Sequence, residues 1–195
     1  MTRAASAPEP AQRLFFALWP DEEARAALGA ATARAVRRCG GRAVPATNLH
    51  VTLAFIGPVA TRRIAELRSI ARGHAMAFAQ EAPLSLTFER LAYWGRPQIL
   101  CALAAEPPPA APALAAALKD TAAAAGFAPD LKPFQAHVTV ARKVLHAPAV
   151  PITRPVVWRF DGFALVDSRT EPGGPVYSVI DAYPLVKAEK LREQP

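Results

Sequence analysis

Apolar positions along this chain come in short runs, cut by proline and glycine. Residues 14–19 (Leu-Phe-Phe-Ala-Leu-Trp) form one continuous apolar run, the mark of a buried strand, which Pro20 and Asp21 end. Asp21 is a good helix N-cap, and residues 22–38 carry no breaker except Gly29, so a helix is expected there, closed by Gly40-Gly41. A strand follows over 49–56, stopped by Gly57-Pro58. Ile64, Leu67 and Ile70 recur at helical spacing inside a second helix expected over 61–78. Residues 84–90 alternate as a strand, and 91–94 and 98–103 read as strands flanking a turn at Gly95-Arg96-Pro97. Pro107-Pro108-Pro109 leads into a helix over 111–125 with Gly126 as its stop. The rest reads as a strand from His137, a proline-rich linker at 147–155, and strands over 156–167 and 175–182 parted by Gly173-Gly174-Pro175.

Within this pattern one tripeptide occurs twice. His50-Val51-Thr52 and His137-Val138-Thr139 each open an apolar run. A strand, a helix and a loop precede each copy, and the spacing is nearly constant: 36 residues from Leu14 to His50, 37 from Leu100 to His137. An internal repeat of this kind predicts an α+β fold of two lobes related by a pseudo-twofold axis, each giving one His-Val-Thr strand to a shared central cleft. Whether a strand of one repeat crosses into the other lobe's sheet is left open by the pattern.

Alternate side chains on a strand share a face. That rule puts His50, Thr52 and Ala54 on one side and Val51, Leu53 and Phe55 on the other. In the second copy His137, Thr139 and Ala141 oppose Val138 and Val140. A histidine and a threonine two residues apart lie roughly 6.6–6.8 Å apart along the strand, close enough to touch different atoms of one phosphate-sized group. Two histidines on opposite sides of a phosphorus suit an in-line displacement, one taking a proton from the attacking oxygen and the other giving one to the departing oxygen. Threonine hydroxyls would hold the non-bridging oxygens. The two motif histidines have no carboxylate or cysteine at ligand spacing, so no metal site is expected. His74 in a helix and His146 in a linker read as surface residues, and neither a Walker loop nor GxGxxG is present.

Composition adds limits. A chain of 195 residues fits one domain with two lobes, here expected over 12–187, with tails at 1–11 and 188–195. Apolar residues make up 52 %, much of it alanine, enough for a packed core. The net charge of +7, mostly arginine, favours polyanionic partners such as nucleic acid or nucleotides. Cys39 and Cys101 make neither a metal spacing nor a disulfide framework, and no signal peptide or membrane-length apolar run occurs. The expectation is a cytoplasmic monomer that contacts no membrane.

These residues resemble the 2H phosphoesterase superfamily, defined by two His-X-Thr/Ser motifs. More closely the chain is similar to the RNA 2′,3′-cyclic phosphodiesterases, historically called 2′-5′ RNA ligases. The likeness runs from about residue 13 to 185. It rests on Arg13-Leu14-Phe15-Phe16-Ala17-Leu18, Asn48-Leu49-His50-Val51-Thr52-Leu53 with Phe55-Ile56-Gly57, and Gly95-Arg96-Pro97. It continues through His137-Val138-Thr139-Val140-Ala141-Arg142 and Leu165-Val166-Asp167-Ser168 followed by Tyr177. One departure is Phe134-Gln135-Ala136, where relatives often carry proline directly before the second histidine.

The resemblance implies a fold of two antiparallel sheets with flanking helices. It implies an enzyme with no cofactor that opens a 2′,3′-cyclic phosphate, on an RNA end or a cyclic nucleotide, to a 2′-phosphate. It makes His50 the general acid and His137 the base, with Thr52, Thr139 and Arg142 binding the phosphate. By strict alternation Arg142 points away from His137, so the strand must end or bulge by Ala141 for that role. Phe16, Tyr93, Trp94 and Phe134 are candidates to stack on a base, and Arg42, Arg62, Arg96 and Arg142 to follow a backbone. The rival readings are a ligase that runs the same site backwards onto a 5′-hydroxyl, and a non-catalytic RNA or nucleotide binder.

Overall fold

The computed structural model describes residues 10–172 and 174–185. Nine strands and three α-helices lie among them. The order is β1 (Ala11–Leu18), α1 (Glu22–Arg38), β2 (Arg42–Ala43), β3 (Val51–Ala60), α2 (Ile64–Ala77), β4 (Leu84–Trp94), β5 (Ile99–Ala104), α3 (Ala110–Ala124), β6 (His137–Arg142), β7 (Val156–Phe160), β8 (Gly162–Glu171) and β9 (Gly174–Pro184). Residues 1–9 of the expected N-terminal tail and all of the expected tail at 188–195 lie outside the described residues.

Two antiparallel sheets result. The first runs β3-β1-β8-β9 and the second β2-β6-β5-β4-β7. Each His-Val-Thr strand pairs with the opening strand of its own half: β3 with β1, and β6 with β5. The halves then trade parts. The hairpin β8–β9 from the second half completes the first sheet, while β2 from the first half borders the second. The helices trade as well: α1 packs on β6 and β7, and α3 packs on β3 beside α2. The sequence pattern left this crossing open, since hydrophobic periodicity says which face is buried and not against which partner.

Local chemistry explains the elements. The Asp21 carboxylate accepts from Ala24 N at 2.7 Å and caps α1, with Glu22 and Glu23 in its first turn and Arg37 and Arg38 in its last, matched to the helix dipole. Its inner face shows Leu28, Thr32 and Ala35. The Trp158 indole on β7 donates to Ala24 O at 2.8 Å, tying the first half's helix to the second half's sheet. Trp158, Phe16, Phe88 and Leu14 are among the largest fully buried side chains of the main core. A smaller cluster, Phe15, Ala17, Ala164 and Val166, lies on the other face of the first sheet.

Several expected elements change, and β3 is one of them, since it runs through Gly57-Pro58 to Ala60. The strand expected over 156–167 is two strands in different sheets. The break falls at Asp161-Gly162, where a Cβ on Gly162 would meet Tyr183 O at 2.6 Å, so only glycine lets the chain pass there. Conversely, 84–90 and 91–94 form one strand, β4, whose first part pairs with β7 and whose second part pairs with β5 across an irregularity at Glu89. Residues 61–63, expected as helix, make a 3₁₀ turn before α2.

Candidate active site

The site begins with two matched bulges. On β3, Thr52 faces Ala17 and Ala54 faces Phe16, so Leu53 has no partner of its own. On β6, Thr139 faces Cys101 and Ala141 faces Leu100, so Val140 has none. Each extra residue directly follows the motif threonine and reverses the alternation beyond it. The faces read from strict alternation are therefore corrected. Ala54 and Ala141 are buried in the core, and Phe55 and Arg142 turn to the cleft. The bulge that Arg142 needed is present, and the first half carries its counterpart.

His50, Thr52, His137, Thr139 and Arg142 all line one open cleft of about 620 Å³. The imidazoles are held alike. His50 Nδ1 lies 2.7 Å from Asn48 O, and His137 Nδ1 lies 2.7 Å from Gln135 O, each the carbonyl two residues back. A carbonyl only accepts, so Nδ1 carries the proton and Nε2 of the neutral ring is left to the cleft. Thr52 Oγ1 sits 3.1 Å from His50 Nε2 and donates to it. Behind Thr139 lies the buried Cys101 thiol, 3.9 Å from its hydroxyl and pushed up to about 12, first by burial.

The two rings differ in their walls. His50 is stacked on Trp19 (centroids 5.5 Å, 23° between planes), leans on Phe15 at 4.9 Å and meets the edge of Tyr177 at 5.1 Å. His137 has Trp94 at 4.7 Å. Desolvation by this aromatic cage pushes the His50 imidazole down to about 4, with the positive charge of His137, Arg142 and Arg25 adding to it against the Asn48 hydrogen bond. Burial also lowers His137, against its bond to Gln135.

Of the residues expected to stack on a base, Phe16 is wholly buried in the core and is excluded, and Phe134 packs against that core. Tyr93 is half-buried with its hydroxyl on Val144 O at 3.3 Å. Trp94 reaches the site. Phe15, Phe55 and Tyr177 line the cleft and Trp19 stacks on His50, and none of these four was expected in this role. The signal for Phe15 was its neighbour: on a strand between core and cleft, Phe15 and Phe16 must face opposite ways. Among the arginines, Arg42 lines the cleft and lies directly across from Arg142, while Arg62 and Arg96 do not line it. A Cβ on Gly41 would stand 2.8 Å from Arg142 O, so the turn before Arg42 closes tightly on that strand end. Arg13 and Lys143 add charge to the same rim. His74 is not a free surface residue, since its Nε2 bonds Thr121 Oγ1 at 2.9 Å.

Asn48 was quoted as part of the motif without a role. It is buried, and its Nδ2 donates to Pro175 O at 2.7 Å while its carbonyl holds His50. No group of three or more His, Cys, Asp or Glu side chains able to hold a metal occurs among the described residues. None of the described helices is long and apolar enough to cross a membrane.

A family model described as the 2′-5′ RNA ligase superfamily matches residues 20–171. The chain belongs to that superfamily. Among its superfamily relatives, an RNA 2′,3′-cyclic phosphodiesterase of Thermus thermophilus is 34 % identical over 190 residues, covering 93 % of this chain and 94 % of the relative. The protein of the same name in Escherichia coli is 31 % identical over 140 residues, covering 72 % and 77 %. The crystal structure of E. coli LigT complexed with 3′-AMP superposes with a TM-score of 0.81 at 27 % identity, covering 91 % of this chain and 100 % of that one. LigT has also been solved with NADP+, ATP and phosphate. The superfamily fold and this chain's two sheets are thus the same architecture.

Proposed function

We propose that this protein is an RNA 2′,3′-cyclic phosphodiesterase that needs no metal and hydrolyses a 2′,3′-cyclic phosphate end to a 2′-phosphate. The observation that carries the reading is the matched pair of imidazoles, each with Nδ1 held by its own backbone and Nε2 open to one cleft. The names of its relatives and the 3′-AMP held by LigT point the same way.

In this mechanism His137 Nε2 takes a proton from water as the water oxygen bonds to phosphorus. The P–O3′ bond breaks in line, and His50 Nε2 gives its proton to the departing O3′, leaving a free 3′-hydroxyl and a 2′-phosphate. Thr52, Thr139 and Arg142 bind the non-bridging oxygens as charge grows on them. Both rings are neutral at pH 7 in the free protein, so His50 is loaded with its proton when the phosphate anion offsets the desolvation. An imidazolium held at a low pKa then gives its proton up readily. Proton transfer by each ring is worth typically 10²–10⁴-fold, and positioning supplies much of the rest.

The test is a 2′,3′-cyclic nucleotide incubated with the protein in excess chelator. The expected product is the 2′-phosphate. His50→Ala and His137→Ala each lower kcat by about 10²–10⁴-fold with the fold intact by circular dichroism. Turnover that survives either change, or that stops with chelator, contradicts the mechanism. The superfamily name favours one further reading, joining of a cyclic phosphate to a 5′-hydroxyl, and supplying both ends separates it by the appearance of a 2′-5′ linked product.

A further inference from the structure

One half-buried cation has no part in the mechanism above. Arg25 sits in the first turns of α1, half-buried, with its Cζ 4.9 Å from the centroid of the Trp19 ring. The same ring also packs on His50, stacked at 5.5 Å and 23°. Arg25 Nε donates to Leu49 O at 3.3 Å, the carbonyl of the peptide leading into His50. Its Nη2 is buried with no hydrogen-bond partner among the described residues, which leaves the indole as what it faces. A buried guanidinium N–H that loses water and gains no acceptor is expensive unless a π-face replaces the lost solvent. The arrangement thus spends solvation energy to press Trp19 onto the imidazole.

We propose that Arg25 is a positioning residue for His50, acting through the Trp19 ring and the Leu49 carbonyl to fix the plane of the imidazole and to set a positive charge behind it. The proposal rests on the reading of His50 as a proton-transfer group. Two contacts of Arg25 bear on two degrees of freedom of His50. The Leu49 carbonyl bond fixes the backbone from which the side chain leaves. The Trp19 stack sets the plane of the ring, which the Asn48 and Thr52 hydrogen bonds hold only at its two nitrogens. The charge disfavours imidazolium in the empty site, in the same sense as the cage. The other titratable groups that face His50 are His137 and Arg142 from β6 and Tyr177 from β9. Asp21 and Glu22 lie near Arg25 and temper its charge. The second motif has no such support: Trp94 meets His137 at 55°, tilted rather than stacked. The two histidines are therefore held to different tolerances, and the tighter one is the proposed acid.

The experiment is a ring-proton NMR titration of His50 in the wild type, Arg25→Met and Arg25→Lys, paired with kcat and KM for 2′,3′-cyclic AMP across pH. Arg25→Met is expected to raise the His50 titration midpoint and lower kcat roughly five- to tenfold with KM little changed, the mark of misorientation rather than weaker binding. Arg25→Lys, which returns the charge without the planar stack, is expected to restore the midpoint and only part of kcat. A Met variant that titrates and turns over like the wild type overturns the proposal, as does one whose whole loss lies in KM. If Arg25→Met does not fold, Trp19→Leu reads the same chain from its middle and must shift the His50 midpoint. If the wild type hydrolyses no cyclic nucleotide, the functional reading fails, and the titration still decides whether Arg25 governs the ring.

Discussion

A histidine that stays neutral to about pH 4 is a liability for folding in acid. The unfolded chain protonates this imidazole near pH 6.5, and the folded protein refuses the proton until about 4. Its contribution to stability is therefore complete above pH 6.5 and is lost as pH falls toward 4. The loss is at most about 3 kcal/mol, and less for the part of the ring that meets cleft water. His137, lowered in the same direction, adds to the slope. Thermal unfolding followed from pH 7 to 4.5 should show His50→Gln gaining on the wild type as the solution is acidified. A constant difference between the two across that range would mean that the cage does not desolvate His50. At this scale much of the site was legible, because His50, Thr52, His137 and Thr139 stand in a repeated string. The cage was not, because Trp19 and Tyr177 come from elements far apart in the chain and only the fold brings them to one ring.

Among elements, the bulged strands matter most. The single extra residue after Thr139 sets Arg142 toward the cleft and not the core, and the one after Thr52 does the same for Phe55. Deleting Val140 should make the ladder regular with the same partners, Ala141 still inward and Arg142 still toward the cleft, at the loss of one buried valine, about 1.5–3 kcal/mol. The expected result is a fall in melting temperature with turnover on the cyclic nucleotide at least partly kept. Arg142→Gln, which keeps the bulge, should lose turnover and keep the melting temperature. If the deletion variant folds and is yet as inactive as Arg142→Gln, the register is not what aims Arg142. Sequence periodicity saw the strands and missed the bulges, because a period of two carries no mark where one residue drops out of the ladder. It missed the split at Asp161-Gly162 for a related reason. The run from 156 to 167 offers buried apolar positions on both sides of Asp161-Gly162, and nothing local says that its two ends are buried in different places. Only the requirement for glycine at 162, set by Tyr183 O across the hairpin, betrays the crossing.

For the molecule as a whole, the exchange of β2, α1 and β8–β9 between the halves has a consequence for how a ligand arrives. Two lobes joined by a single linker would open and shut like jaws. Here the chain passes from one sheet to the other at Asp161-Gly162 with no slack, and a helix of the first half is fastened to the second by the Trp158 indole. These crossings and the packed helix tie the two walls together at several points, so capture is expected to proceed as a plain bimolecular encounter with a rigid mouth. Stopped-flow mixing with 3′-AMP is expected to give one exponential phase whose rate climbs linearly with nucleotide concentration and drops steeply with added salt, as the basic rim is screened. A rate that levels off at high concentration would reveal a gating step that this interlaced architecture forbids.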